Sequence, residues 1–182
     1  MCVDSFVTVF RNHMTNSTQP EIPFAPRTSV EQVEESDQLA PKFDENGCIP
    51  CITTHAETKE VLMFAFMNAE ALRLTIGSGL AHYWSRSRQK LWKKGETSGM
   101  FQNVQRMLID DDQDCVILEV TLAPPAGGGE EASCHVGYRS CFYREVPVQP
   151  EPGAPPSLKF VEDDKAFDPL AIYGDTPNPT QL

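Results

Sequence analysis

Eight of the 15 prolines fall after Val146, five of them between Pro147 and Pro156. Proline fixes φ and lacks an amide donor, so this stretch cannot be a central strand or a helix interior. The core must therefore be built by the residues before it. Residues 147–157 read as an extended linker over the surface. Beyond it, Phe167-Asp168-Pro169-Leu170-Ala171-Ile172-Tyr173 predicts one short helix docking on the body, with Asp168 as N-cap and Pro169 at the first helical position. Thr176 to Leu182 are expected to fray. At the front, Thr28 to Leu39 predicts a short acidic helix, and the first ~20 residues read as mobile. The chain divides into an N-terminal extension (1–38), a body (39–145) and a Pro-rich linker with a C-terminal docking segment (146–182).

The body reads as short strands around one helix. Cys48 to Thr54 and Glu60 to Met67 are β-like apolar runs, joined by a hairpin turn at Thr58-Lys59. Asn68 caps a helix through Ile76, stopped by Gly77 and Gly79. Ala81 to Ser85, Asn103 to Ile109 and Cys115 to Leu122 are further strands, and Pro124 to Glu131 is a flexible loop. The expected class is mainly β (α+β), in one domain, as 182 residues suggest.

Charge narrows the partners. With 15 basic and 26 acidic side chains the net charge is −11. That argues against a non-specific nucleic-acid binder and against adhesion to anionic membranes. No apolar run approaches the ~20 residues of a membrane span. The N-terminus lacks the basic segment and apolar stretch of a secretory signal. Six cysteines then read as thiols or metal ligands in a reducing, cytoplasmic compartment.

Three clusters carry candidate chemistry. Asp110-Asp111-Asp112-Gln113-Asp114 is either a solvated acidic turn or, if extended, a row with Asp110, Asp112 and Asp114 on one face, suited to Mg²⁺, Ca²⁺ or Mn²⁺. Cys134-His135 with Cys141 is either a set of buried structural groups or part of a zinc site, though the spacing matches no standard finger. Arg86, Arg88, Lys90, Lys93 and Lys94, flanked by Trp84 and Trp92, run into Gly95-Glu-Thr-Ser-Gly99. This is a solvated loop or a phosphate site whose indoles stack on a base. Cys48 and Cys51 share one strand on opposite faces and read as plain strand residues. His55 and His82 alone say little.

Taken in order, these stretches resemble the phosphoribosyl-AMP cyclohydrolase family, from about Leu39 to Tyr143. The likeness includes Lys42-Phe-Asp-Glu-Asn-Gly47, Ala81-His-Tyr-Trp-Ser-Arg-Ser-Arg88, Leu91-Trp92, Lys94-Gly-Glu-Thr-Ser-Gly99, Gln102, Cys134-His135 and Arg139-Ser-Cys-Phe-Tyr143. The resemblance implies a folded, pseudobarrel-like mixed sheet with a few short helices. It implies an intertwined homodimer with metal sites between the subunits. The implied reaction opens the purine ring of N1-(5-phosphoribosyl)-AMP by adding water at C6 and breaking N1–C6, in histidine biosynthesis. It implies zinc, or another divalent transition metal, on Cys134 and Cys141, and Mg²⁺ on Asp110, Asp112 and Asp114. His135 is the implied general base. Trp84, Ser85, Arg86, Ser87, Arg88, Trp92, Lys94, Gly95 and Arg139 are expected to bind the phosphoribosyl nucleotide.

One position departs from the family. Its first zinc cysteine, inside Asp-Cys-Asp-x-Asp, is Asp111 here. Cys115 is no simple replacement, since four extended residues span ~13 Å. Asp111 would give an S₂O site, harder than three thiolates. The family's Gln-Asp pair appears as Thr54-His55, which makes His55 a second candidate ligand. The expected activity is the family's own with an altered metal site. Two alternatives are the same hydrolysis on another purine-like or amidine-containing nucleotide, and an inactive binding or regulatory dimer.

Overall fold

A computed structural model describes residues 22–150, 153, 155–176, 178 and 180. The mobility expected of the first ~20 residues falls outside them. The described elements are α1 (Val30–Glu35), β1 (Cys48–His55), β2 (Val61–Asn68), α2 (Ala69–Ser78), β3 (His82–Ser85), β4 (Lys90–Lys93), β5 (Gln102–Ile109), β6 (Val116–Leu122), β7 (Arg144–Glu145), β8 (Lys159–Phe160) and α3 (Pro169–Tyr173).

The main sheet has the order β2-β1-β6-β5. β1 pairs antiparallel with β2 and parallel with β6, and β5 pairs antiparallel with β6. The sheet is thus mixed, as expected, but it is open. Two-stranded pairs β3-β4 and β7-β8 lie outside it, and the strands described do not close into a pseudobarrel. β6 buries every second residue, from Val116 to Leu122, as period-two alternation requires. These side chains join Ile49, Leu62, Met67, Leu72 and Tyr83 in the core.

Local chemistry explains the joints. Asn68 Oδ1 accepts from Ala71 N at 2.8 Å and opens α2. The helix runs through Gly77 and ends at Gly79, where φ is 69°. A glycine inside a helix costs only about 1 kcal/mol, whereas the left-handed cap requires its freedom. α3 begins as expected, with Asp168 as N-cap and Pro169 in the first turn. The basic stretch is a hairpin rather than a loop. Tyr83 stands opposite Trp92, their ring centroids 4.9 Å apart. The two apolar residues Leu91 and Trp92 suffice for a strand, but the flanking charges hide the pattern.

A chain of buried polar groups crosses the core. Tyr83 Oη lies 2.8 Å from Thr53 Oγ1 and donates to Gln102 Oε1 at 2.6 Å. Gln102 Nε2 donates to Ser133 Oγ at 3.0 Å, beside Cys134. The far end of the molecule is closed by the C-terminal segment. Phe167 packs with Met100 and Ala132. A Cβ on Gly129 would stand 2.8 Å from the Ala166 carbonyl oxygen, so this docking needs glycine there. No helix among the described residues is long and apolar enough to cross a membrane.

Candidate active site

Cys134 and Cys141 sit on the loop between β6 and β7. Ser133 N donates to Arg139 O at 2.8 Å, and Cys134 N to Tyr138 O at 3.2 Å, folding the loop on itself. Cys141 N donates to Leu62 O at 2.8 Å, fastening it to β2. The Glu162 carboxylate accepts from Arg139 N at 2.8 Å and from Ser140 N at 3.0 Å. Cys134 is buried and Cys141 exposed. The neighbouring Cys141 thiol is the main influence that holds the Cys134 pKa down to about 7, against its burial; the Val136 backbone and the Lys94 charge add to the effect. The Cys141 thiol is pushed upward by the same partner. A readily deprotonated thiol beside a second one suits a thiophilic cation.

Lys94 is buried under this pair, and its Nζ donates to Ser133 O at 2.6 Å. Burial lowers its pKa, while the charges of Cys141 and Cys134 raise it. It is not the exposed phosphate-loop cation that the sequence suggests. Gly95, at φ +91°, lets the chain turn beneath Met100; a Cβ would lie 2.6 Å from the Met100 carbonyl carbon. Both residues shape the floor of the site.

Two cavities border this loop, and a third adjoins them at Arg88. One of about 410 Å³ lies between Arg88, Thr97, His135 and the C-terminal residues Leu170, Tyr173 and Asn178. A second, about 340 Å³, is lined by Trp92, Lys94, Gly95, His135, Cys141 and Tyr173. A third, about 650 Å³, is lined by Trp84, Ser85, Arg86, Ser87, Arg88 and Trp92 with Phe66. Arg88 lines all three. Arg86 is stacked over Phe66, 3.7 Å from its centroid. Arg139 turns away, its Nε 2.9 Å from Glu60 Oε2. Burial lowers the pKa of His135, against its hydrogen bond with Asn178, which raises it.

The acidic segment is a turn between β5 and β6, not an extended row. Asp110 Oδ1 accepts from Asp114 N and Cys115 N, both at 2.9 Å. Gln113 has φ 59° and is buried. Its side chain accepts from Ala40 N at 2.7 Å and donates to Val33 O at 3.0 Å, so the N-terminal segment clamps the turn. Lys42 Nζ bridges Asp112 and Asp114 at 2.9 and 2.8 Å. Its hydrogen bond is the main cause of the lowered Asp112 pKa. The carboxylates within ligand reach of one another are Asp110, Asp111 and Asp112, the one such group of three among the described residues. Asp114 stands apart, committed to Lys42.

The turn and the thiols are separated in one chain. Leu62, which holds Cys141, lies near the level of Thr53, and Thr53 pairs with Leu118. The acidic turn lies about three residues along from that level and two strand spacings across, on the order of 14 Å.

A model of the phosphoribosyl-AMP cyclohydrolase family matches residues 63–143. Phosphoribosyl-AMP cyclohydrolase of Rhizobium rhizogenes is 48% identical over 149 residues, which span 82% of this chain and 95% of that one. That of Rhodopseudomonas palustris is 52% identical over 143 residues, 79% of this chain and 92% of that one. The chain belongs to the phosphoribosyl-AMP cyclohydrolase family.

Within this cyclohydrolase framework, His55 is occupied as a hairpin brace: its Nδ1 lies 3.2 Å from both Thr58 N and Thr58 Oγ1. Cys115 is brought close to Asp110 by the turn, so the extended-chain distance does not apply. Its thiol is nonetheless pushed up by burial and by Asp110 and Asp114. Tyr173 and Asn178 were not among the expected site residues. Its place in the short helix predicted to dock on the body is the available signal for the first. Asn178 lies in a tail expected to fray, and no signal marked it.

Proposed function

We propose that this chain hydrolyses the purine ring of N1-(5-phosphoribosyl)-AMP at N1–C6, a step of histidine biosynthesis, in the cavities around Arg88, His135 and Cys141. One observation carries the reading. A buried thiol with a lowered pKa beside a second thiol, a histidine and an arginine without a carboxylate partner among the described residues converge there, in a chain about half identical to proteins named for that activity.

The roles follow from the geometry. Arg88 and Arg86 bind phosphate, with Ser85 and Ser87 beside them, and Trp84 and Trp92 flank the base. Lys94, Gly95 and Arg139 act on substrate through the loop they support. Cys134 and Cys141 suit zinc, since thiols are soft ligands and Cys134 is readily deprotonated. No third His, Cys, Asp or Glu joins them among the described residues. Asp111 of a second copy would supply the third ligand, which would make the working unit a homodimer. An S₂O set also admits other divalent transition metals. Mg²⁺ would be held by Asp110 and Asp112, with Asp114 joining them only on release of Lys42. Zinc supplies a Lewis acid that lowers the pKa of a coordinated water from 15.7 to about 7.

His135 takes a proton from the attacking water and delivers it to N1 as the N1–C6 bond breaks. The oxygen stays on C6 as an amide carbonyl, and the second proton ends on the exocyclic nitrogen. We place the enzyme in the cytoplasm; the five cysteines among the described residues are all free, as a reducing compartment leaves them.

The test is the absorbance change of phosphoribosyl-AMP on ring opening, with and without chelator. Turnover restored by Zn²⁺ or another divalent transition metal together with Mg²⁺ supports the reading. No turnover with Zn²⁺, Mn²⁺, Fe²⁺ or Co²⁺ overturns it in favour of another nucleotide or a non-catalytic dimer.

A further inference from the structure

His135 and the C-terminal tail meet at one atom. His135 Nε2 lies 3.3 Å from Asn178 Oδ1. The same Asn178 oxygen accepts from Thr180 N at 2.8 Å. A backbone amide can only donate, so the atom between them is the carboxamide oxygen and not its nitrogen. An oxygen acceptor at Nε2 requires the proton of the neutral imidazole to sit on Nε2, which leaves the lone pair on Nδ1. We infer that Asn178 is a positioning residue that holds His135 as its Nε2–H tautomer and presents Nδ1 as the basic nitrogen.

The tail is placed to do this. Asn178 and His135 line the same cavity as Tyr173, Leu170 and Arg88. Phe167 anchors the segment in the Met100–Ala132 cluster, eleven residues before Asn178. Ala166 N donates to Gly137 O at 2.8 Å, joining the tail directly to the loop that carries His135. The ring is therefore oriented from two sides, by its own loop and by the tail folded over it. The proton leaving water goes to Nδ1, Nε2–H stays bonded to Asn178 throughout, and the same proton leaves Nδ1 for N1 of the substrate. This inference rests on His135 being the general base.

The experiment records the imidazole signals of ¹⁵N-histidine-labelled full-length protein, His135 being assigned with His135→Gln. It is repeated for Asn178→Ala and Asn178→Asp, and kcat and KM are measured for each. The expected result is a His135 proton bonded to Nε2 and protected from exchange. That signal is lost by exchange in Asn178→Ala and retained in Asn178→Asp, which keeps an acceptor oxygen. kcat falls on the order of tenfold in Asn178→Ala with KM within about twofold, as for partners that orient a working side chain. A proton found on Nδ1, an Nε2–H signal unaffected by Asn178→Ala, or an unchanged kcat in that variant overturns the inference. His135→Gln separates the two levels: full activity there removes the general-base reading, whatever the tautomer.

Discussion

The acidic turn and the thiol loop are both places for a cation, built by opposite means. At the turn, Asp110 and Asp111 are exposed, and Lys42 neutralises Asp112 and Asp114 at the surface. At the loop, Cys134 is buried and the cation beneath it, Lys94, is buried too. Water and salt screen the first arrangement, while low polarity strengthens the second. The buried site is therefore where a lost side chain has the larger consequence. The exposed site owes its shape to the backbone: the left-handed Gln113 and its clamp by Ala40 and Val33.

The largest expected effect follows from removing a thiol. Cys134→Ser or Cys141→Ser should abolish zinc retention through dialysis and reduce kcat by more than the 10–100-fold typical of an outer-shell partner. Metal analysis alongside turnover checks it; retained zinc and rate would place the metal elsewhere. Next comes Arg88→Ala, which removes a charge-assisted contact of about 1.5–3 kcal/mol and should raise KM on the order of 10–100-fold. Arg86→Ala should do less, because Arg86 is stacked on Phe66. Equal KM values for both variants would erase the distinction.

A smaller effect sharpens the electrostatic side. The Cys134 pKa lies near 7, so its alkylation in the metal-free protein should rise through that pH. Cys141→Ala removes the main cause of the lowering and should move the midpoint upward. Lys94→Met removes a lesser cause and should move it upward by less. A midpoint that falls in either variant has the wrong sign for this arrangement. The smallest effect is expected at the surface. Lys42→Ala should leave thermal stability nearly unchanged, while Asp112 titrates at higher pH than in the wild type, a difference that carbon-detected carboxyl titration can read. A large loss of stability would mean that the turn depends on Lys42 and not on its backbone clamp.

What the sequence disclosed tracks how local each cause is. The alternation in β6, Asn68 before α2, and Asp168-Pro169 before α3 act within a few residues, and each was legible. β4 was not, because Leu91 and Trp92 are embedded among lysines. The burial of Lys94 was not legible either, since lysine is almost never fully buried and its partners arrive from Ser133 and the thiols. Sequence left the acidic segment open between a turn and an extended row, because the left-handed residue that makes the turn is Gln113, stabilised by contacts more than 70 positions away. At the site, the residue types were visible, but which of them meet depends on the folded sheet.

That separation of turn and thiols within one chain leads to the central claim, that one site is assembled from two chains. Complementation tests it most directly. Cys134→Ser chains and chains carrying Asp111→Ala with Asp112→Ala are each prepared, then unfolded together and refolded as a mixture. If each site takes its thiols from one chain and its carboxylates from the other, random pairing yields mixed dimers with one intact site. The mixture should then recover about a quarter of wild-type activity from two inactive parents. A mixture no more active than its parents would place the complete site within a single chain and contradict the account.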